Sequence, residues 1–141
     1  MIVIDASQLV EALVNDSVLG DLAQSALNAD PRWVAPEPLR VEATSAIRGL
    51  LLAKRISGER ADTAVSTLNQ LTVGYAAWAE VADRVWELRH NLTPYDAAHI
   101  ALAEARGCNL VTTDWKLSDC SAGRCQVDVV GAPAPAPRAG I

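Results

Sequence analysis

Thr93-Pro-Tyr-Asp-Ala-Ala-His-Ile-Ala-Leu-Ala-Glu-Ala-Arg-Gly107 runs into Asn109-Leu-Val-Thr-Thr-Asp114, and this stretch decides the fold. Thr93 suits an N-cap, and Pro94 suits the first helical position, where its missing N–H costs nothing. Gly107 suits the left-handed residue that closes a helix. The spacing therefore predicts a helix from Pro94 to Arg106. The short β-branched run after it predicts a strand that ends beside an acid. Ile2-Val-Ile-Asp5 repeats that ending at the start of the chain. A short apolar run with no polar alternation reads as a strand buried on both faces.

Between these ends, helices and strands alternate. Ser7 is an expected N-cap for a helix through Leu9, Val10, Leu13 and Val14. A second helix carries Val18, Leu19, Leu22, Ala26 and Leu27 on one side and breaks at Asp30-Pro31. Trp33-Val-Ala35 predicts a strand. A long helix is expected from Glu37 to about Arg55, and another from Ala61 to Leu71. A short strand is expected around Leu71-Thr-Val73, a helix from Trp78 to His90, and a last strand from Gln126 to Val130. Such alternation predicts an α/β fold with a parallel sheet covered on both faces. The 141 residues suit one domain over 1–131, and the Pro/Ala-rich segment 132–141 is expected to be an extended tail that does not pack.

Half of the residues are hydrophobic and 21% are charged, the balance of a folded soluble chain. Phe is absent, and the apolar content is mostly Ala, Leu and Val. The opening residues lack the basic and apolar regions of a secretory signal, so a cytoplasmic location and no membrane partner are expected. Cys108, Cys120 and Cys125 form no CxxC pair, which argues against a zinc site. Reduced thiols are the expected state, although a tight loop would allow a Cys120–Cys125 bridge. The net charge of −5 counts against broad nucleic-acid binding. The bases are partly grouped, however: Arg48, Lys54, Arg55 and Arg60 fall together, as do Arg84, Arg89 and His90.

Four acids stand out. Asp5 and Asp114 lie at the carboxyl ends of predicted strands, where α/β sheets bind ligands. Each has a plainer explanation as a turn or cap residue. Glu42 falls on the edge of the stripe Leu39, Ala43, Ala46, Ile47 and Leu50, where a carboxylate is costly to desolvate unless paired or metal-bound. Asp96 fits a capping box with Thr93, yet it also shares a face with Ile100 and Ala103. Ser7 and Thr112 are hydroxyls beside two of the acids, placed to hold a carboxylate, a metal water or substrate. Asp119 reads as a solvated or outlying acid. Carboxylates without a His or Cys cluster suit a hard cation such as Mg²⁺, and hence metal-assisted cutting of a phosphodiester. A phosphatase or phospho-receiver is the rival from another class, but Asp5-Ala-Ser7 offers no DxD.

The run from Arg84 to Glu104 resembles the central signature of PIN-domain ribonucleases, in particular the VapC toxins of bacterial toxin–antitoxin pairs. Ile4-Asp-Ala-Ser7 is similar to that family's first motif, Leu39-Arg-Val-Glu42 to its second, and Leu110-Val-Thr-Thr-Asp-Trp-Lys-Leu117 to its last. The resemblance implies a three-layer α/β/α sandwich with a short parallel sheet. It implies that Asp5, Glu42, Asp96 and Asp114 bind Mg²⁺ or Mn²⁺ and cut RNA. It also implies inhibition by a cognate VapB-type antitoxin, seated in a groove on the first two helices, and a homodimer or toxin–antitoxin hetero-oligomer. The alternatives are a nuclease acting on DNA with the same metal site, or a non-catalytic PIN-like interaction module.

Overall fold

The computed structural model describes residues 1–118 and 124–131. Five parallel strands form one sheet in the order β3-β2-β1-β4-β5. They are β1 (Ile2–Ile4), β2 (Trp33–Pro36), β3 (Gly74–Ala76), β4 (Asn109–Thr112) and β5 (Val127–Val129). The first strand is central, flanked by β2 and β4, so Asp5 leaves the middle of the sheet.

The pleat of β1 sorts the two cores. Val3 packs into one apolar cluster with the helices α5 (Trp78–Glu87) and α6 (Pro94–Arg106). Ile4 points to the other face, into a cluster with α1 (Ala6–Val14), α2 (Val18–Asn28), α3 (Leu39–Leu52) and α4 (Gly58–Gln70). Successive side chains on a strand alternate in this way. The result is the expected three-layer sandwich, and α6 lies against β1, β2 and β4. The cap signals of α6 are realised: Thr93 is the N-cap, Pro94 opens the helix, and Gly107 closes it at φ 60°.

Several boundaries differ from the expectations. Asp5, not Ser7, caps α1, because its carboxylate accepts the Gln8 N–H. The third helix begins at Leu39 rather than Glu37 and stops at Leu52 rather than Arg55, since Pro36 still belongs to β2 and Lys54 takes φ 56°. Ser57 caps α4, so that helix starts at Gly58, before Ala61. The third strand is Gly74–Ala76, displaced from Leu71–Val73, because Arg40 holds the Leu71 carbonyl in the closing turn of α4. The fifth helix stops at Glu87, short of His90. The fifth strand keeps only Val127–Val129 of the expected Gln126–Val130. Ala46 is exposed, so the apolar stripe of α3 is narrower than the sequence suggests.

Among the described residues, no helix is long and apolar enough to cross a membrane. Cys108 is free, whereas Cys120, Asp119 and the tail 132–141 lie outside the described residues. The tail and the proposed Cys120–Cys125 pairing are therefore not placed.

Candidate active site

The site gathers at the carboxyl end of the sheet, where β1 and β4 run side by side. Asp5 leaves β1 in extended backbone and caps α1, and it is buried to 8% exposure. Its Oδ1 accepts hydrogen bonds from the Gln8 backbone at 2.8 Å and from Ser7 Oγ at 2.9 Å. Its Oδ2 accepts one from Thr112 Oγ1. Thr112, the last residue of β4, is fully buried. Its hydroxyl also accepts the Asp114 N–H at 3.0 Å. One side chain thus fixes the orientation of Asp5 and the backbone that carries Asp114.

Ser7 extends the same network. Thr113 Oγ1 donates to Ser7 Oγ at 2.9 Å, and Ser7 in turn donates to Asp5. The hydroxyls pass their protons in one direction, towards the buried carboxylate. Asp114 uses its own Oδ1 to cap the following turn, Trp115–Leu117, by accepting the Lys116 N–H at 3.0 Å.

Asp96 enters from the first turn of α6. Thr93 Oγ1 accepts its backbone N–H at 3.3 Å and donates to its Oδ2 at 3.0 Å. The capping reading and the inward-facing reading both hold, since Asp96 is half-buried and sits one turn before the fully buried Ile100. Glu42 enters from the first turn of α3. Partial burial pushes its carboxyl above the ordinary glutamate value. His99 nearby pulls it down, and the charges of Asp5 and Asp96 push it up again. Glu42 therefore feels two of the other three acids across three different elements. Asp114 is tied to Asp5 through Thr112 and is not among the groups acting on Glu42.

No ion pair among the described residues involves Asp5, Glu42, Asp96 or Asp114. Four acids at one end of a sheet thus lack an ion-pair partner, a costly arrangement, although Glu42 feels a nearby cationic group, His99. Equally, among the described residues no three carboxylate, imidazole or thiol groups already stand close enough to hold one ion.

The expected basic groups divide. Arg84 is occupied by Glu104 at 2.7 Å and Glu87 at 2.8 Å, and Arg60 reaches Asp16 at 2.5 Å. Arg89 stacks on Trp86 at 4.8 Å. Exposed Arg48, Lys54 and Arg55 are left at the far end of α3 from Glu42. Sequence reasoning gave no site role to His99 or Thr113. His99 is 4% exposed and neighbours Glu42. The available signal was a titratable ring inside the run Ala97-Ala-His-Ile-Ala-Leu, with no polar residue beside it.

Residues 2–122 match the profile of the PIN domain. Ribonuclease VapC9 of Mycobacterium tuberculosis is 38% identical over 130 residues, covering 92% of this chain and 98% of the relative. Ribonuclease VapC1 of the same organism is 33% identical over 134 residues, covering 91% and 96%. Among solved structures, Mycobacterium tuberculosis VapC20, described as a Sarcin-Ricin loop cleaving toxin, superposes with TM-score 0.60 at 20% identity, over 84% of this chain and 93% of that one. PAE2754 from Pyrobaculum aerophilum gives TM-score 0.66 at 22% identity, over 91% and 83%. These two likenesses bear on the fold. The chain belongs to the PIN-domain family, and its relatives of 30% identity or more are VapC ribonucleases. Nucleases of this kind depend in general on a divalent metal ion.

Proposed function

We propose that Asp5, Glu42, Asp96 and Asp114 hold Mg²⁺, or Mn²⁺ in its place, and that the chain uses this site to hydrolyse RNA as the toxin of a toxin–antitoxin pair. The supporting observation is the set of acids without an ion-pair partner, with the Glu42 carboxyl pushed up by Asp5 and Asp96. Oxygen-only donors suit Mg²⁺, and two or three direct carboxylates suffice. Bound there, the ion supplies the charge that activates water and offsets the leaving oxygen.

The hydrogen bonds support a division among the donors. A carboxylate has about four lone-pair positions. In Asp5, Ser7 and Gln8 occupy both positions on Oδ1, and Thr112 occupies one on Oδ2. Asp5 therefore offers one lone pair, on Oδ2, and acts as a single-oxygen ligand. Asp96 is bonded to Thr93 through Oδ2 and offers Oδ1. Glu42 and Asp114 act through water or towards a second ion. Water attacks phosphorus and gives up one proton to solvent, the bond to O3′ breaks, and O3′ takes up one proton from solvent. The products carry 5′-phosphate and 3′-hydroxyl ends, and no His is required as base.

The partners follow from the surface. A basic side chain from a VapB-type antitoxin enters the acid cluster and supplies the missing ion-pair partner. The apolar residues of the first helix are buried or half-buried, whereas Val18 and Leu22 on α2 are exposed. These two residues give the antitoxin its apolar anchor. Exposed Val41 and Leu52 on α3 support a homodimer. The setting is the cytoplasm, where RNA and a freshly made antitoxin meet.

The test compares the parent chain with Asp96→Asn, expressed without antitoxin, by sequencing RNA 5′ ends and following growth. The parent should arrest growth and leave 5′-phosphate ends that the variant does not. Equal cutting by the variant, or 2′,3′-cyclic phosphate products, would reject the assignment. Competition with DNA of matched sequence separates an RNA-specific enzyme from a general nuclease.

A further inference from the structure

Beside the acids lies a second feature that the hydrolytic step does not use. A cavity of about 200 Å³ opens against Glu42 and is lined by Pro36, Ala76, Trp78, Tyr95 and His99. Trp78 and Tyr95 are exposed, so two aromatic rings border it at the surface. His99 lies deep, at 4% exposure. Its Nδ1 is 2.9 Å from the Tyr95 carbonyl. A carbonyl only accepts, so Nδ1 carries a proton and donates to it. The ring's Nε2 is buried and has no hydrogen-bond partner. An unpartnered buried polar atom is rare in a folded protein and calls for a reason.

We infer that this cavity binds one unstacked base of the RNA substrate, next to the bond that is cut. The inference rests on the ribonuclease reading of the adjoining acids. Single-stranded RNA is read by splaying bases onto aromatic rings and bonding their edges. The cavity has the parts for that: flat apolar walls, aromatic rings at the mouth, and one buried ring nitrogen with no partner to bond a base edge. Glu42 belongs to both the cavity and the acid cluster, so a base in the cavity places its own phosphate against the acids. Beside that nitrogen, the Glu42 carboxylate favours a base edge that presents an N–H donor. The same feature explains how an acidic chain with few free bases could select its RNA, since selection here does not depend on phosphate charge.

The experiment uses the full chain and RNA of randomised sequence, with cut sites read from 5′ ends. The parent should show a preference at one nucleotide flanking the cut. His99→Phe keeps a flat ring and removes the buried nitrogen, and Trp78→Ala removes a wall at the surface, where folding is not at stake. Both should erase that preference and lower kcat/KM on the preferred RNA by about ten-fold, the scale of one lost base stack. Replacing the preferred base with an abasic residue should cost the parent a similar factor and cost Trp78→Ala almost nothing further. A preference unchanged in both variants, or an abasic penalty equal in parent and variants, overturns the inference. Binding of a labelled short oligoribonucleotide and its abasic counterpart, in chelator, reads the cavity independently of cutting. Base-dependent binding that the variants lose supports the cavity even if the parent fails to cut. Equal binding of both oligonucleotides by the parent overturns it while leaving the hydrolytic reading intact.

Discussion

Thr112→Val removes one hydroxyl and keeps the shape of the side chain. That hydroxyl donates to Asp5 Oδ2 and accepts the Asp114 N–H at 3.0 Å. Thr112 is fully buried and Asp5 nearly so, so water does not replace the bond between them. A hydrogen bond to a charged group contributes about 1.5–3 kcal/mol. The Asp114 N–H is half-exposed and can recover a partner in water, so it adds little. The expected loss is about 2 kcal/mol, a fall in Tm of about 8 °C for a chain of this length. Thr112→Ser keeps the hydroxyl and should lose about 1 kcal/mol, the scale of one missing methyl group.

Stability alone does not test the role in the site, so the same proteins should be melted across a Mg²⁺ titration. An ion that binds only the folded chain raises Tm in proportion to the logarithm of its concentration. Groups that orient ligands typically change metal affinity by about 10–100-fold. The Thr112→Val curve should therefore shift to Mg²⁺ concentrations higher by that factor, and Thr112→Ser should follow the parent. A variant that melts with the parent to within about 0.5 kcal/mol refutes the hydrogen-bond argument. A destabilised variant with an unshifted Mg²⁺ curve shows that Thr112 serves the fold and not the site.

Glu42→Gln should stabilise the metal-free protein at neutral pH. The folded chain raises this carboxyl above 4.5, so ionisation on going from low to neutral pH costs stability in the parent. The gain from Gln should be full above the raised value, shrink as pH falls through it, and vanish below 4.5, which melts at a series of pH values would show. Gly20→Ala should destabilise by about 1–3 kcal/mol in urea unfolding, because a Cβ there would sit 1.7 Å from the Asn15 carbonyl oxygen. Arg40→Met should cost about 2 kcal/mol in the same assay, since the guanidinium donates to the Leu68 and Leu71 carbonyls at the end of α4. Arg84→Ala should leave RNA affinity nearly unchanged, because its charge is already spent on Glu104 and Glu87. A steep fall in RNA binding would show that the pairing yields to phosphate.

What the sequence reveals about this protein follows the range of the forces involved. The sixth helix was legible to the residue, because Thr93, Pro94 and Gly107 set its ends through contacts within a turn. The third strand was not, because Arg40 is far from it in sequence and fixes the turn before it through Leu68 and Leu71. The four acids were visible as charges at the borders of apolar runs. Which of them Thr112 holds was not, because that depends on Thr112 meeting Asp5 across the sheet. Ser7 shows the limit most clearly. Its sequence position fits a helix cap, yet Asp5 takes the cap and Ser7 turns to bond the acid instead.

That exchange has a physical logic. A cap residue must expose its oxygen to the first N–H groups of the helix, and the positive end of the helix favours a negative charge there. By placing Asp5 in the cap, the chain stabilises a buried carboxylate with Gln8, Ser7 and Thr112 before any cation arrives. Glu42 receives no such support and is pushed towards its neutral form. The two acids therefore meet a divalent ion differently: Asp5 is already oriented by hydrogen bonds, whereas Glu42, at a pH below its raised value, gives up a proton as the ion approaches. Ion binding should release protons at a pH near the raised Glu42 value and not above it. Calorimetric Mg²⁺ titrations in buffers of different ionisation enthalpy would measure that release. The release should disappear in Glu42→Gln, and its persistence in that variant would place the proton on another group.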